Sequence, residues 1–202
     1  MLKCIMACAF GYLLGSVPFA LVIGKVFFRT DIRQKGSGNL GGGNAGRVLG
    51  KKAGLAVMTL DILKVTFAIL LAALLGGGEP VKITAGLAAA VGHCFPVFAR
   101  FKGGKAVATM YGFLFGMMLL GGYSPWYFFL PLISFMVILY IGKIIALSSI
   151  GSALIVTLYA AITDASAAMV GALTVFSLLI IWRHRENLRR IANHTENKIK
   201  WM

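Results

Sequence analysis

The sequence predicts an all-α, polytopic membrane protein with seven transmembrane helices in a single integral membrane domain spanning residues 1–202. Three observations predict it. Of the 202 residues, 59% are hydrophobic and only 13% charged, with a mean hydropathy of +0.87, whereas soluble domains run at roughly 45–50% apolar and about 25% charged. Such a chain has too few polar side chains to coat a globule in water. Apolar runs near the length a bilayer demands recur from end to end, and the cations collect in alternate loops between them.

The runs are Ile5 to Phe28, Ala53 to Leu75, Ile83 to Ala99, Ala106 to Gly122, Trp126 to Gly142, Ile144 to Ile162 and Ala165 to Trp182, followed by a tail over 183–202. Several are short: a 17-residue helix reaches about 25 Å, so its ends must be wet or covered by neighbouring protein. The first run follows Lys3 as a leader would, yet it continues past Pro18 to Phe28 with no small-residue cleavage site, so a retained anchor is expected. Cys4, Cys8 and Cys94 form no closed set of pairs and are expected to stay reduced.

Charge sets the orientation. Arg29, Arg33, Lys35, Arg47, Lys51 and Lys52 follow the first run; Arg100, Lys102 and Lys105 follow the third; Lys143 follows the fifth; Arg183, Arg185, Arg189, Arg190, Lys198 and Lys200 occupy the tail. These sixteen cations fall on one side, against Lys3 and Lys82 on the other, with Lys25 and Lys64 inside runs. The cation-rich side is expected to be cytoplasmic, with the N-terminus outside and the C-terminus inside. The net charge of +14 therefore describes a membrane edge, and no nucleic-acid partner is expected.

The outer loops are minimal, so polar chemistry concentrates on the inner face. The stretch Gly36 to Gly46 holds six glycines interspersed with Ser37, Asn39 and Asn44, and ends at Arg47. Ordering so many glycines is costly. Two readings stand: backbone N–H groups cradling an oxyanion with Arg47 as a bidentate cation, or a flexible linker, which rarely carries two asparagines and an arginine before a helix. Gly36, Gly38 and Gly41 match a dinucleotide fingerprint in spacing alone, because that motif follows a strand and this one follows a membrane run. Gly50-Lys51 and Gly104-Lys105 lack the rest of a Walker loop. No nucleotide, cofactor or metal is expected.

The second cluster runs from Gly92-His93 through Phe95-Pro96 to Lys102-Gly103-Gly104-Lys105. Pro96 ends one helix, and Gly103-Gly104 make a turn near the next helix N-terminus, which favours anions. Lys105 opposes the helix dipole there, so it is either a phosphate ligand or a positive-inside anchor, the former preferred. His93 lies within a run and is expected to make a bundle-facing hydrogen bond. Asp61 and Lys64, at i and i+3 deep in the second run, are expected to pair or to position a loop cation. The tail opens Arg183-His184-Arg185-Glu186-Asn187; a snorkelling anchor would need only the cations.

With these clusters in hand, the chain resembles the bacterial acyl-phosphate glycerol-3-phosphate acyltransferases, integral enzymes of phospholipid synthesis. The resemblance rests on Gly36-Ser37-Gly38-Asn39-Leu40-Gly41 with Asn44 and Arg47, on Gly92-His93 with Phe95-Pro96 and Phe101 to Lys105, and on His184-Arg185-Glu186-Asn187 with Thr195 to Lys198, together with the Asp61 and Lys64 pattern. It implies transfer of a fatty acyl group from acyl phosphate to the 1-hydroxyl of glycerol 3-phosphate, giving lysophosphatidic acid and phosphate. It also implies the bacterial inner membrane, a site facing the cytoplasm, and an acyl-phosphate-forming enzyme as functional neighbour. The H-x-x-x-x-D motif of other glycerolipid acyltransferases is absent. Two positions depart from the family pattern: Gly43 stands for a threonine, and Ala146 for the first of two serines, the second aligning with Ser149.

The expected catalytic residues are Lys105, His184 and Arg47. Ser37, Gly38, Asn39, Gly41, Asn44, Lys102, Gly103, Gly104, Ser149, Glu186 and Asn187 are expected to bind substrate. An acyl phosphate is already activated, so alignment and charge stabilisation suffice and no covalent step is required. Neither Ser37 nor Ser149 has an evident His–Asp pair. Either His184 or a substrate phosphate oxygen serves as base, the substrate preferred. A transporter of organic phosphates would also use basic loops, but its chemistry belongs at the bilayer midplane rather than at one surface.

Overall fold

The computed structural model describes residues 1–199; Lys200, counted among the tail cations, lies outside the described residues. The described chain folds into ten α-helices: α1 Leu2–Gly15, α2 Phe19–Phe28, α3 Gly42–Val48, α4 Lys51–Leu74, α5 Glu79–Cys94, α6 Val107–Leu120, α7 Trp126–Gly142, α8 Ile145–Ile162, α9 Ala167–Arg183 and α10 Arg185–Ala192. Four segments are long and apolar enough to cross a membrane: Leu2–Phe28, Lys51–Leu74, Glu79–Ala99 and Ile145–Ile162. A fifth forms if α9 and α10, bent by 55°, count as one. All seven expected runs are helical, but α6 and α7, at 14 and 17 residues, reach only about 21 and 25 Å, short of the ~30 Å hydrocarbon core.

The first run is broken. Pro18 lacks an N–H and disfavours helical backbone at Val17, so α1 stops at Gly15 and α2 restarts with Pro18 as its N-cap. The third begins earlier than the hydropathy suggests, because Glu79 and Pro80 occupy its first turn, where an acid and a proline are both favoured. It ends at Cys94, one residue before Phe95-Pro96.

The helices group into two compact units, the first Met1–Gly122 and the second beginning at Tyr123. In the first, α1 lies against α5 through small residues. A Cβ at Gly11 or Gly15 would collide with the Ala85 or Ala89 carbonyl, and one at Gly92 with the Tyr12 carbonyl. Lipid offers no hydrophobic drive between helices, so such close backbone approach supplies the dispersion contact that joins them. Farther along, Ala20, Leu21, Ile32, Leu40, Ala45, Val57 and Ala99 form one buried apolar cluster. Its members come from α2, the first cation-rich loop, α3, α4 and the turn after α5, so both cation-rich loops of this unit are seated on the same floor.

In the second unit α7 and α9 flank α8. Thr157 Oγ1 joins α8 to α9 by meeting the Leu173 carbonyl at 3.2 Å and Ser177 Oγ at 2.9 Å, and Tyr127 stacks edge-on to Tyr159. The chain after α10 returns to the α7–α8 turn, where Ile199 N–H donates to the Lys143 carbonyl at 2.8 Å.

Candidate active site

The glycine-rich loop is ordered by its own hydrogen bonds. Asp31 caps the 3-10 turn Ile32–Gln34 and pairs with Arg33 at 2.6 Å. The chain then reverses through Gly36 (φ +60) and Gly38 (φ +68), left-handed positions where a side chain would be strained. Asn44, only 1% exposed, ties the reversal down. Its Oδ1 accepts from Ser37 N–H at 2.9 Å, and its Nδ2 donates to the Lys35 carbonyl at 3.1 Å and the Ile32 carbonyl at 3.3 Å. Asn44 is thus a brace for the loop backbone, not a side chain reaching outward.

The loop's glycines divide between several tasks. Gly42 and Gly46, one turn apart on α3, sit against Gly54 of α4, where a Cβ would lie 2.6 Å from Gly46 Cα. The N–H of Gly38 donates to the Lys35 carbonyl, and those of Asn44 and Ala45 to the Gly41 carbonyl. The expectation that the whole Gly36 to Gly46 backbone faces an anion is therefore narrowed: the amides of Ser37, Gly38, Asn44 and Ala45 are spent within the loop. At the surface Arg47 donates to Ser37 Oγ at 3.3 Å, while Asn39 and Gly41 are half-buried and Gly43 has no atom within 4 Å of where a Cβ would be. No carboxylate pairs with Arg47, Lys35 or Lys102 among the described residues.

In this loop the Asp31 carboxyl is lowered from 3.8 to about 2 chiefly by the Arg33 hydrogen bond, and the same bond raises Arg33. That pair is self-neutralised. The remaining loop cations are not.

The second cation-rich turn is built on His93. Arg100 and Phe101 adopt left-handed backbone (φ +54 and +59), and Gly104 N–H donates to the His93 carbonyl at 2.9 Å. Gly103 and Gly104 are buried, Lys105 is half-buried and Lys102 exposed. Below lies the expected ion pair: Lys64 Nζ is 2.7 Å from Asp61 Oδ1, and it also meets His93 Nδ1 at 3.0 Å and the Val17 carbonyl at 3.1 Å. The bundle-facing hydrogen bond expected of His93 is the one to Lys64.

In the second unit His184 caps α10 and is 4% exposed. Its Nδ1 meets the Ile180 carbonyl at 2.8 Å, which makes Nδ1 the protonated nitrogen and Nε2 the basic one of the neutral ring. Asn187 is buried and donates to Glu196 Oε1 at 2.7 Å, while Arg190 binds Oε2 at 2.7 Å. Glu186 instead pairs at the surface with Arg189 at 3.3 Å. Ser149 is buried and donates to the Ile145 carbonyl at 2.8 Å, one turn back, a bond a helical serine makes in the absence of other acceptors.

A family model described as glycerol-3-phosphate acyltransferase matches residues 5–194. The chain belongs to the glycerol-3-phosphate acyltransferase family. A curated family member from Geobacillus kaustophilus is 45% identical over 191 residues, covering 94% of this chain and 93% of the relative. One from Enterococcus faecalis is 42% identical over 209 residues, covering 99% and 94%. Among solved structures, the crystal structure of PlsY (YgiH), an integral membrane glycerol 3-phosphate acyltransferase, in its glycerol 3-phosphate form has a TM-score of 0.89 at 35% identity, covering 98% of this chain and 96% of that one. Its lysophosphatidic acid form gives 0.87 at 34% identity, with 98% and 95% covered. The resemblance carried by the three motifs is thereby established as membership.

Two features of this family member escaped the sequence. Glu196, inside the quoted Thr195 to Lys198 stretch, is the acceptor that fixes Asn187; its signal was an isolated acid in a basic tail. Gly54, a lone glycine near the start of a long apolar helix, is the contact on which α3 rests.

Proposed function

We propose that this chain transfers a fatty acyl group from acyl phosphate to the 1-hydroxyl of glycerol 3-phosphate, forming lysophosphatidic acid and inorganic phosphate. The enzyme sits in the bacterial inner membrane with seven spans, N-terminus outside, and works at the cytoplasmic face. Family membership supports acyl transfer to glycerol 3-phosphate. The observation that carries the acyl-phosphate donor is the surplus of cations on two inner loops that share one apolar floor, with Arg47 and Lys102 unmatched by any carboxylate among the described residues. Two phosphorylated substrates supply the missing negative charge.

In the proposed step the glycerol hydroxyl oxygen attacks the acyl carbonyl carbon. An ester C–O bond forms, the C–O bond to phosphate breaks, and its electron pair leaves with the phosphate. The hydroxyl proton passes to a phosphate oxygen, so no protein base is needed. Arg47 and Lys105 offset charge on the phosphates as it develops. Ser37, Gly38, Asn39 and Gly41 shape the first loop toward one phosphate, and Lys102, Gly103 and Gly104 form the second grip. Asn44 acts through the Ser37 amide. In the second unit His184, Asn187, Glu186 and Ser149 are assigned to orienting glycerol 3-phosphate.

A donor panel tests this. Purified protein is given glycerol 3-phosphate with palmitoyl phosphate, palmitoyl coenzyme A or a palmitoyl thioester of acyl carrier protein, and lysophosphatidic acid is measured. Product from acyl phosphate alone is expected; equal product from a thioester overturns the donor assignment.

A further inference from the structure

The cluster under the second inner turn has more chemistry than a membrane helix needs for packing. Lys64, Asp61 and His93 are 4%, 1% and 5% exposed. An ammonium has three N–H donors, and those of Lys64 go to Asp61 Oδ1, His93 Nδ1 and the Val17 carbonyl. The last of these lies at the break between α1 and α2. His93 Nδ1 lies 3.0 Å from Lys64 Nζ and 3.5 Å from Asp61 Oδ1, so the ring is held at one rotation.

The opposite edge of that ring meets the turn. A Cβ on Gly104 would run into His93 Nε2, and one on Gly103 into the His93 carbonyl and Pro96. With Gly104 N–H bonded to the same carbonyl, the two glycines rest directly on His93 and carry Lys102 and Lys105 on either side. The stack runs Lys64, His93, Gly103-Gly104, then the loop cations.

Stability alone does not account for the stack. A buried ion pair is often no better than apolar residues of equal volume, because both charges lose their water. Asp61 Oδ2, moreover, is buried and meets no hydrogen-bond donor among the described residues. What directed bonds supply, and an apolar filler does not, is a fixed orientation of the imidazole.

We propose that Lys64 is a positioning residue: acting through His93, it sets the place of the Lys102–Lys105 turn and hence its grip on a substrate phosphate. This rests on the reading of that turn as a phosphate site. Lys64 itself touches no substrate.

The experiment uses the full chain in detergent. Replacing both charges in Lys64→Met/Asp61→Asn avoids an unpaired buried ion; it raises the KM for a phosphate substrate about tenfold while kcat changes less than about threefold. In a second arm, Gly104→Ala, His93→Ala and their combination form a cycle. The alanine at position 104 costs about tenfold in kcat/KM beside His93 and less than about twofold once the ring is gone. Thermal unfolding is followed for every variant, and affinity for inorganic phosphate is measured by calorimetry, which needs no turnover. An unchanged KM, an additive cycle, or a loss that tracks unfolding overturns the proposal. If Gly104→Ala does not fold, the charge-neutral variant decides alone, and its own failure to fold makes the cluster a stability element and overturns the proposal. Coupling on phosphate affinity in a protein that transfers no acyl group defeats the acyl-transfer reading only; additivity in an active enzyme defeats the role of Lys64 only.

Discussion

The loop from Gly36 to Arg47 and the Asp61–Lys64–His93 cluster belong to the same unit and treat charge in opposite ways. In the cluster each cationic donor is matched inside the protein: Lys64 has a carboxylate at 2.7 Å, a carbonyl and an imidazole nitrogen, all buried. In the loop, internal hydrogen bonds order the backbone, while Arg47 donates to a serine hydroxyl at 3.3 Å, pairs with no carboxylate among the described residues and stays exposed. Buried charge that is neutralised within the fold serves geometry. Exposed charge on a fixed backbone, without a carboxylate partner, is what the proposed function assigns to an anion from outside.

The comparison breaks most visibly if the loop cations prove dispensable. Arg47→Ala and Lys105→Ala are each expected to lower kcat/KM by about two to three orders of magnitude with the fold retained, measured by phosphate release and checked by thermal unfolding. Arg47→Lys should recover only part, because a point charge cannot bind bidentately.

Removing the brace sharpens it. Asn44→Ala leaves the Ser37 amide and two carbonyls without their partner, a penalty of about 1–3 kcal/mol, expected as roughly a tenfold or greater loss in kcat/KM and as faster amide exchange at Ser37. The glycines offer a paired test at about the same scale: Gly54→Ala forces α3 off α4 and costs about tenfold in activity. Gly43→Ala, with open space around it, stays within about twofold.

In the second unit the assignment of His184 to orientation predicts that His184→Ala raises the KM for glycerol 3-phosphate by about tenfold with kcat nearly unchanged. A collapse of kcat at saturating substrate would instead make Nε2 the base.

The smallest effect concerns Asp31. Its carboxyl is lowered from 3.8 to about 2 by Arg33, so its contribution to loop order is complete above pH 3.8 and is lost as pH falls through about 2. A carbon NMR titration should show a midpoint near that value, and Asp31→Asn should change activity at neutral pH by less than about twofold.

Much of this was legible in the chain. Hydropathy located every long helix because lipid admits no unpaired backbone, and Asp61 and Lys64 announced each other through helical spacing. Other features depend on partners that spacing cannot supply. Six glycines suggested an anion cradle, but Gly42 and Gly46 are required by the approach of Gly54, and both uses call for the same residue. Asn44 read as a substrate ligand because an amide donor beside Arg47 suits phosphate; its burial under the loop depends on α3 folding back onto α4. The 55° bend at His184 was hidden because the polar helix α10 looks, in sequence, like any basic tail.

The central claim is that the inner loops hold two phosphorylated substrates for direct transfer. It is tested most directly by following phosphate release from palmitoyl phosphate with and without glycerol 3-phosphate, with the lipid product identified in parallel. The account predicts release only when both are present, with one lysophosphatidic acid formed per phosphate; release that proceeds equally without glycerol 3-phosphate would contradict it.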